Sequence, residues 1–383
     1  MKKISFHRFF YFFAVLCCLS CASVKQSTSL VNEIRSLKFI NVYTIPFNLQ
    51  YKNTTTGGLS GIDYDVKNNL YYLICDDRSD KNPARFYTAK IFLTEKGINS
   101  LVFTDVKYML MPDGKTYPDS RQNRYQTPDP EAMRYNPTTN QLVWSSEGER
   151  SIKPKDTTLT NPAVTSINTN GGFIDSFFMP ANMNMNATEK GPRQNGVFEG
   201  MTFADNYTSL FVSVEEPLYE DGPRADIIDK NSFIRILKFD IATRKNTAQY
   251  AYKLEPVAHT STPENAFKIN GVPDILSIGN NKLLVLERSF STGRLPCTIK
   301  LFITELDTAT DITNISLANN KNFRPVKKTL LLNMDELGIY TDNIEGLTFG
   351  PVLPNGHRTL LFISDNNFSP LQKTQLLLFE VLK

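Results

Sequence analysis

Histidine, tryptophan and paired cysteines are scarce in this sequence, and their scarcity excludes several kinds of site. The 383 residues include 3 histidines and 1 tryptophan. Beyond the first 21 residues only His259 and His357 remain, in unrelated contexts, which excludes a histidine metal cage and gives little support to a histidine general base. Beyond residue 21 no Cys-x-x-Cys pair is present, so zinc and redox motifs are absent there. Cys75 and Cys297 are therefore expected to be buried thiols.

Nucleotide-binding and serine-hydrolase motifs are also missing. The chain contains neither a P-loop nor a dinucleotide fingerprint. The segment Gly57-Gly58-Leu59-Ser60-Gly61 looks like a nucleophile elbow, but Ile62 stands where the second glycine of Gly-x-Ser-x-Gly belongs. A serine nucleophile of that type is therefore not expected.

Basic runs of five or more residues do not occur, and the formal net charge of +3 is misleading. Lys2, Lys3 and Arg8 lie in the first 20 residues, where there is no acid, which leaves 39 of the 42 basic residues against 39 acidic ones. This balance predicts no nucleic-acid partner.

The N-terminus has the pattern of an export signal. Met1-Lys2-Lys3 precedes an apolar run, Phe9 to Cys18, that is too short to span a bilayer. Leu19-Ser20-Cys21 resembles a lipoprotein cleavage site, so we expect residues 1–21 to be a signal, Cys21 to carry a lipid, and residues 22–36 to be a polar tether. The alternative is that Cys21 is cut off with the signal. The protein is expected to be exported, to the periplasm, outer membrane or cell surface, with a lipid as its only membrane contact.

A sequence motif, which we call the phrase, recurs five times along the rest of the chain. Each copy begins with an acid or serine, a small residue and apolar residues, and continues through a short polar gap into an apolar run that ends in another acid. The copies begin at Ser60, Glu131, Glu199, Asp274 and Glu345, at spacings of 71, 68, 75 and 71 residues. A constant period of this kind indicates a repeat architecture.

The repeats predict an all-β fold, a β-propeller with five blades of four antiparallel strands. Apolar residues alternate or run in short bursts between Asn, Gly, Pro and Asp, which is typical of strands. The last repeat ends one strand early, and a spare strand over Leu37–Ile45 precedes the first repeat. We therefore expect residues 37–383 to form one domain whose N-terminal strand closes the ring. Six blades and a β-sandwich remain alternatives.

The recurrent acids are predicted to converge on one face of the ring. In each blade the innermost strand would begin, and the antiparallel second strand would end, at the same face. Acids occupy both places, at Glu131, Glu199, Asp274 and Glu345 on innermost strands and at Asp76, Glu147, Glu215, Glu287 and Asp365 on second strands. Such a cluster needs compensating cations, and hard cations such as Ca²⁺ prefer several oxygen ligands. The alternative is that the repeated acids bind backbone N–H groups within each blade.

These positions supply the candidate site residues. The predicted metal ligands, with calcium as the cofactor, are Asp76, Glu131, Glu147, Glu199, Glu215, Glu345 and Asp365. The predicted catalytic residues, which would hold metal and orient water, are Asp76, Asp77, Glu147, Glu215 and Asp365. Arg78, Arg150 and Arg288 accompany the acids and are predicted to bind an anionic substrate, because the planar guanidinium fork matches phosphate or carboxylate. Internal ion pairs are the alternative for these arginines.

Several of these phrases resemble the phytase-like family, described by an esterase-like activity of phytase. The resemblance covers about residues 57–370 and is carried by Gly58-Leu59-Ser60-Gly61-Ile62, Asp76-Asp77-Arg78, Asp129-Pro130-Glu131-Ala132, Ser146-Glu147-Gly148, Phe198-Glu199-Gly200-Met201, Asn343-Ile344-Glu345-Gly346-Leu347 and Ser364-Asp365-Asn366. It implies a secreted propeller that acts on phosphate or other esters. Resemblance to calcium-dependent β-propeller phytases is one of fold only.

Three functions follow as hypotheses. The first is a metal-assisted hydrolase of phosphoesters whose partner is an anionic small-molecule ester. The second is a non-catalytic propeller at the cell surface that binds a ligand or a protein. The third is a lactonase-like propeller hydrolase with one metal and few carboxylates.

Overall fold

The computed structural model describes residues 34–383. The predicted signal, the predicted lipid-bearing Cys21 and residues 22–33 of the predicted tether lie outside the described residues. Ile34 is already buried against the hydrophobic core, and the N–H of Arg35 donates to the carbonyl of Leu382 at 3.0 Å. The first strand then begins at Ser36.

The described residues form 24 β-strands and almost no helix. The strands are β1 Ser36–Ile45, β2 Gln50–Tyr51, β3 Thr54–Thr55, β4 Gly61–Asp65, β5 Leu70–Cys75, β6 Arg85–Thr94, β7 Gly97–Tyr108, β8 Pro130–Asn136, β9 Gln141–Ser146, β10 Glu149–Ser151, β11 Thr158–Thr160, β12 Ala163–Asn168, β13 Phe173–Ser176, β14 Phe198–Ala204, β15 Ser209–Val214, β16 Phe233–Asp240, β17 Asn246–Lys253, β18 Lys268–Gly279, β19 Lys282–Ser291, β20 Thr298–Glu305, β21 Lys327–Asn333, β22 Asn343–Val352, β23 Arg358–Asp365 and β24 Thr374–Leu382. A one-turn helix, α1, spans Ser120–Asn123, and 3-10 turns span Ala181–Met183, Tyr219–Asp221 and Met334–Leu337. Within residues 34–383, no helix has the length and apolarity needed to cross a bilayer.

Twenty of these strands form five antiparallel four-stranded sheets, which we call blades 1 to 5. From the innermost strand outward, the blades are β4-β5-β6-β7, β8-β9-β12-β13, β14-β15-β16-β17, β18-β19-β20-β21 and β22-β23-β24-β1. The innermost strands β4, β8, β14, β18 and β22 contact one another in cyclic order around a central channel. The predicted five-bladed propeller is therefore confirmed, and the six-bladed and sandwich alternatives are wrong.

Blade 5 is completed by the first strand of the chain. β1 pairs with β24 in antiparallel register, from Ser36 opposite Leu382 to Ile45 opposite Thr374. The predicted closure of the ring by the N-terminal strand is confirmed.

The hydrophobic core lies between neighbouring blades rather than at the centre of the ring. Leu73 of blade 1 packs in one cluster with Leu361 of blade 5, and Leu286 of blade 4 packs in another with Phe362 of blade 5. Alternating apolar residues thus bury both faces of each sheet. Because this burial surrounds the channel, the channel is lined by the polar backbone and by the first residues of each repeat.

Asparagines reverse the chain between the first two strands of several blades. Asn69, Asn140 and Asn206 have positive φ values of 49, 52 and 54°, and both Asn280 and Asn281 have 50°. Asparagine tolerates this left-handed region better than most residues, and two such residues in succession are typical of a type I′ hairpin turn. These turns lie at one end of the channel. We call the opposite end, where innermost strands begin and second strands end, the mouth.

Candidate metal centre at the channel mouth

Eight carboxylates lie together at the mouth. Seven are acids that the sequence singles out as metal ligands, and the eighth is Asp129. The set is Asp76, Asp129, Glu131, Glu147, Glu199, Glu215, Glu345 and Asp365. They come from four blades, so the site exists only in the closed ring.

Five of these acids form two triads that share one residue. One oxygen from each of Asp76, Asp129 and Glu131 lies within 4.8 Å of the others, and the same holds for Glu131, Glu147 and Glu199. Oxygen atoms at such separations are suitable for ligating a common cation. Glu131 therefore lies at the junction of two adjacent candidate cation sites.

Asp129 is the member that the sequence analysis missed. Its carbonyl accepts the N–H of Glu147 at 3.0 Å, and its own N–H donates to the hydroxyl of Ser146 at 3.0 Å. These bonds join the start of β8 to the end of β9 and place Asp129 beside the predicted acids. The signal was its position two residues before Glu131, within the phrase Asp129-Pro130-Glu131.

Arg288 supplies a buried positive charge inside the cluster. Its Nη2 donates to Glu215 at 2.7 Å, and its Nη1 donates to Glu345 at 2.5 Å and also to the side chain of Asn343. Although burial lowers the pKa of Arg288, the carboxylates of Glu345 and Glu215 raise it above its usual range. Arg288 is thus committed to protein acids from blades 3 and 5, which favours the ion-pair alternative over substrate binding.

Asp365 carries a buried oxygen without a partner. The side chain is fully buried, and its Oδ1 accepts the N–H of Asn367 at 2.9 Å. Its Oδ2 has no hydrogen-bond partner among the described residues, while Asp365 is near enough to Asp76 and Glu345 to raise their pKa values. A buried, unsatisfied carboxylate oxygen is costly, and a bound cation would satisfy it.

The cluster carries more negative charge than the protein compensates. Burial, followed by the neighbouring carboxylates, raises the pKa of Asp76, Glu131, Glu147 and Glu199 well above their ordinary values. Burial also raises the pKa of Asp129 to about 7, of Glu345 to about 8 and of Asp365 to about 6. Within residues 34–383, only Arg288, and Arg78 with its Nε 3.5 Å from Asp129, oppose this charge directly. The carboxylate donors and the orphaned oxygen of Asp365 fit a hard divalent cation.

Asp77, predicted as catalytic, lies outside this cluster. Its Oδ1 accepts the N–H groups of Asp80 and Lys81 at 2.8 and 3.1 Å, and its Oδ2 accepts the N–H of Asn82 at 3.0 Å. The same Oδ2 accepts Nη1 of the fully buried Arg85 at 2.6 Å. All four bonds fix the loop between β5 and β6, so the structure gives Asp77 a structural environment.

Arg78 and Arg150, predicted to bind substrate, are also engaged by the protein. Arg78 pairs with Asp129 and with the side chain of Glu149. Arg150 donates to the carbonyls of Asn186 and Thr188 at 2.8 and 3.1 Å. Neither guanidinium presents an unoccupied fork to the cluster.

Two of the recurrent acids do not join the ring of carboxylates. In blade 4, Asp274 pairs with Leu286. The equivalent positions of blades 1, 3 and 5 are occupied by the glycines that follow the recurrent serine or acid, so the side chain of Asp274 lies one position deeper in the channel than those residues. Glu287 is directed into blade 4, where it accepts from Tyr252 Oη at 2.6 Å and from Lys328 Nζ at 2.8 Å. The blade 4 acids therefore have structural partners.

Arg134 closes the channel beneath the cluster, and the sequence analysis missed it. Its guanidinium donates to the carbonyls of Ile62 and Met201 at 2.6 and 2.5 Å, and to those of Leu347 and Ile275 at 3.2 Å each. These carbonyls belong to the four other blades. The signal was an arginine three residues after Glu131, where the corresponding residues of three other repeats are Asp63, Thr202 and Thr348.

Comparison with known proteins places the propeller in a family. The family model "Phytase-like: Esterase-like activity of phytase" matches residues 54–368, which include all eight carboxylates. The chain belongs to this phytase-like family. The family resemblance drawn from the sequence is thereby confirmed, and the family description supports esterase-like hydrolysis without specifying the ester. No curated protein matches the chain.

Solved structures resemble the phytase-like chain over most of its length, with low sequence identity. An endo-arabinase from Bacteroides thetaiotaomicron has a TM-score of 0.44 and 11% identity, covering 88% of this chain and 98% of that chain. An alpha-L-arabinofuranosidase from Lactobacillus brevis has a TM-score of 0.47 and 11% identity, covering 84% and 90%. A periplasmic gluconolactonase from Pseudomonas aeruginosa has a TM-score of 0.34 and 11% identity, covering 86% and 87%. We infer no function from similarities at this level.

Proposed function

We propose that the chain is a metal-assisted hydrolase of phosphate esters that binds Ca²⁺ at the mouth. The observation that carries the proposal is the pair of carboxylate triads joined at Glu131, buried beside the unpartnered Oδ2 of Asp365. Structural acids normally have hydrogen-bond or ion-pair partners, as Asp77 and Glu287 have. At the mouth, Asp76, Glu131 and Glu199 instead lie against other carboxylates, while Glu215 and Glu345 share Arg288.

Calcium is the cation that suits these donors best. It takes six to eight oxygen ligands in flexible arrangements, and water completes a site that the protein fills only partly. Asp76, Asp129 and Glu131 would hold one cation and Glu131, Glu147 and Glu199 a second, with Asp365 offering a further oxygen. A bound divalent cation would lower the pKa of coordinated water and neutralise charge on the reacting ester.

The surrounding residues hold the ligands in place. The backbone N–H of Val197 donates to Glu147 at 2.5 Å, which fixes that carboxylate against blade 3. Arg288 holds Glu215 and Glu345 from two different blades, so it maintains the spacing of the acids around the mouth. Arg134 seals the channel below, and reactants would enter and leave from the mouth side.

The ester class is inferred from the family description together with the cation site. The family is described by an esterase-like activity of phytase, and a divalent cation next to fixed carboxylates favours an anionic ester over a neutral one. A phosphate ester supplies oxygens that ligate calcium directly. The substrate partner is therefore proposed to be an anionic small molecule.

Phosphate release from a panel of phosphate esters tests the proposal. The chain without residues 1–21 would be assayed with added Ca²⁺ and with EDTA, beside the variants Asp76→Asn and Glu287→Gln. We expect calcium-dependent release by the wild type and by Glu287→Gln, and a loss of at least a hundredfold in Asp76→Asn. Folded wild-type protein that binds calcium and releases no phosphate would contradict the proposal and favour a binding propeller or another ester.

We further propose that the protein is exported and lipid-anchored through Cys21. The support is the basic start, the short apolar run and the Leu19-Ser20-Cys21 sequence. Intact-mass measurement of the membrane-extracted protein would show a lipid on Cys21 and no residues before it. Recovery of an unmodified chain that begins after Cys21 would contradict the lipid anchor.

A further inference from the structure

Arg193 and Arg224 lie beside the mouth, and neither belongs to the recurrent sequence phrases. Arg193 donates through Nε to the carbonyl of Pro217 at 2.8 Å and through Nη2 to the carbonyl of Gly222 at 2.9 Å. Arg224 donates through Nε to Glu216 at 2.7 Å. Within residues 34–383, Nη1 of Arg193 and both Nη groups of Arg224 have no acceptor.

The two guanidinium groups hydrogen-bond to adjacent residues although both are positive, since Arg224 donates to Glu216 and Arg193 to the carbonyl of Pro217. Burial lowers the pKa of Arg193, and the positive charge of Arg224 lowers it further. The ring of Tyr219 packs 4.2 Å from the Arg193 guanidinium carbon, which restricts the rotation of that side chain. Two fixed like charges with unused N–H groups are complementary to a multiply charged anion.

A short chain of contacts connects Arg193 and Arg224 to the carboxylate cluster. Glu216, the acid paired with Arg224, follows Glu215 of the cluster directly. The N–H of Glu215 donates to the carbonyl of Val197 at 2.7 Å, and the N–H of Val197 donates to Glu147. The arginine pair therefore flanks the side of the cluster formed by Glu147 and Glu215.

Exposure separates Arg224 from Arg288, the arginine inside the cluster. The side chain of Arg224 is 45% exposed, whereas that of Arg288 is 12% exposed and bound to two acids. Arg150 contacts Tyr219 as Arg193 does, at 4.9 Å from the ring centroid, and like Arg193 it uses Nε and Nη2 for backbone carbonyls. Arg224 thus keeps both Nη groups for a ligand, and Arg193 keeps Nη1.

We propose that Arg193 and Arg224 form an anion subsite that binds the phosphoryl group of the ester substrate beside the metal centre. The planar guanidinium fork donates two parallel hydrogen bonds to phosphate oxygens, which a lysine cannot do. This inference rests on the proposed function for its substrate, but the binding of the anion is measurable without turnover. In this assignment the arginines position the phosphoryl group, and the carboxylates hold the cation.

Titration calorimetry with inorganic phosphate on the calcium-loaded chain tests the subsite. We expect the dissociation constant for phosphate to rise at least tenfold in Arg224→Gln and in Arg193→Gln, while the affinity for Ca²⁺ stays within twofold of wild type. Arg358→Gln is the matched control, because its guanidinium carbon also lies 4.2 Å from an aromatic ring centroid, that of Phe349, but at the end of β23 away from the mouth. We expect it to bind phosphate as the wild type does. Arg224→Gln is the safer variant, since Arg224 makes a single side-chain hydrogen bond within residues 34–383, to Glu216.

The outcomes separate this inference from the proposed function. Wild-type protein that binds phosphate through both arginines but releases none from any ester would retain the subsite and overturn the hydrolase. Turnover that is unchanged in Arg224→Gln, in KM as well as in kcat, would overturn the subsite and retain the hydrolase. A loss of phosphate binding in Arg358→Gln as large as in Arg224→Gln would also overturn it, because general positive charge would then explain the binding.

Discussion

Arg134 in blade 2 donates through Nη2 to both carboxylate oxygens of Asp274 in blade 4, at 2.7 Å each. The two side chains are 3% and 2% exposed, so the pair is buried in the channel. Asp274 also accepts the N–H of Leu347 from blade 5 at 2.9 Å. The pair therefore ties together blades that have no strand pairing with one another.

Arg134→Met should destabilise the fold strongly, because it leaves the carboxylate of Asp274 buried without its partner. Breaking a buried pair on one side costs about 3–5 kcal/mol of unfolding free energy. Replacing both partners should recover only part of that loss, because the four carbonyls that accept from Arg134 lose their donor in both variants. Urea unfolding of Arg134→Met and of the double variant Arg134→Met/Asp274→Leu measures the difference. Lys327→Met, at an exposed pair with Glu305, is the control, for which no measurable change is expected. A single variant as stable as the wild type would show that the pair does not hold the ring together.

The neighbours Asp76 and Asp77 should respond to substitution in opposite ways. Asp77→Ala leaves Arg85 buried and removes four hydrogen bonds, so we expect a loss of about 3–5 kcal/mol in urea unfolding with EDTA present. Asp76→Asn removes one of several repelling carboxylates and should leave that stability unchanged or higher. Calcium affinity should instead fall at least tenfold in Asp76→Asn. Similar loss of stability in both variants would argue that Asp76 is also a structural acid.

Glu131→Gln and Asp129→Asn should have different effects on calcium binding, because only Glu131 belongs to both triads. We expect the wild type to bind two Ca²⁺ per chain. Asp129→Asn should weaken one binding event and leave the other, whereas Glu131→Gln should weaken both. Calorimetry and native mass spectrometry give the affinities and the number of ions. Identical isotherms for the two variants would mean that the triads do not act as separate sites.

The stabilisation by calcium should increase as the pH rises from about 5 to 8. Because burial raises the pKa of Asp129 to about 7 and that of Glu345 to about 8, the metal-free folded state binds protons more tightly than the unfolded chain. The stability of the metal-free protein is therefore highest below the ordinary carboxyl pKa values. It falls as the pH rises through the pKa values that these groups have in the folded state.

Calcium replaces those protons, so the melting temperature with Ca²⁺ should exceed that with EDTA by roughly 5 °C or more at pH 8, at a calcium concentration near a hundred times the dissociation constant. The difference should nearly vanish at pH 5. Thermal unfolding followed by circular dichroism measures both curves. A calcium effect that is equal at the two pH values would mean that the ion does not bind these carboxylates.

The fold could be predicted from the sequence because the innermost hairpin of each repeat has the same order of residue types. The acid or serine, the small residue and the alternating apolar residues correspond to the start of an innermost strand, and the next apolar run corresponds to the second strand. The prediction that all innermost-strand acids lie at the same level of the channel was wrong for blade 4. β18 is longer and has a register shift between Gly271 and Asp274, which moves Asp274 one place deeper than the acids it resembles.

The partners of the charged residues were not accessible in the same way. Arg288 comes from blade 4, yet its acids come from blades 3 and 5, and no local pattern connects them. Arg134 likewise finds its acceptors on the four other blades. Long arginine side chains reach across the ring, so their roles depend on closure rather than on neighbours in the sequence.

The pairing of β1 with β24 also determines the face of the propeller from which both ends of the described chain leave. Asp365 ends β23 at the mouth, β24 runs away from it, and β1 returns from Ser36, which pairs with Leu382 at the far end. Both ends of the described chain therefore leave the propeller from the face opposite the carboxylates. An attachment upstream of Ser36 or downstream of Lys383, whether a lipid, a support or a fused protein, would therefore lie on the face opposite the mouth. The mouth would stay open to incoming substrate.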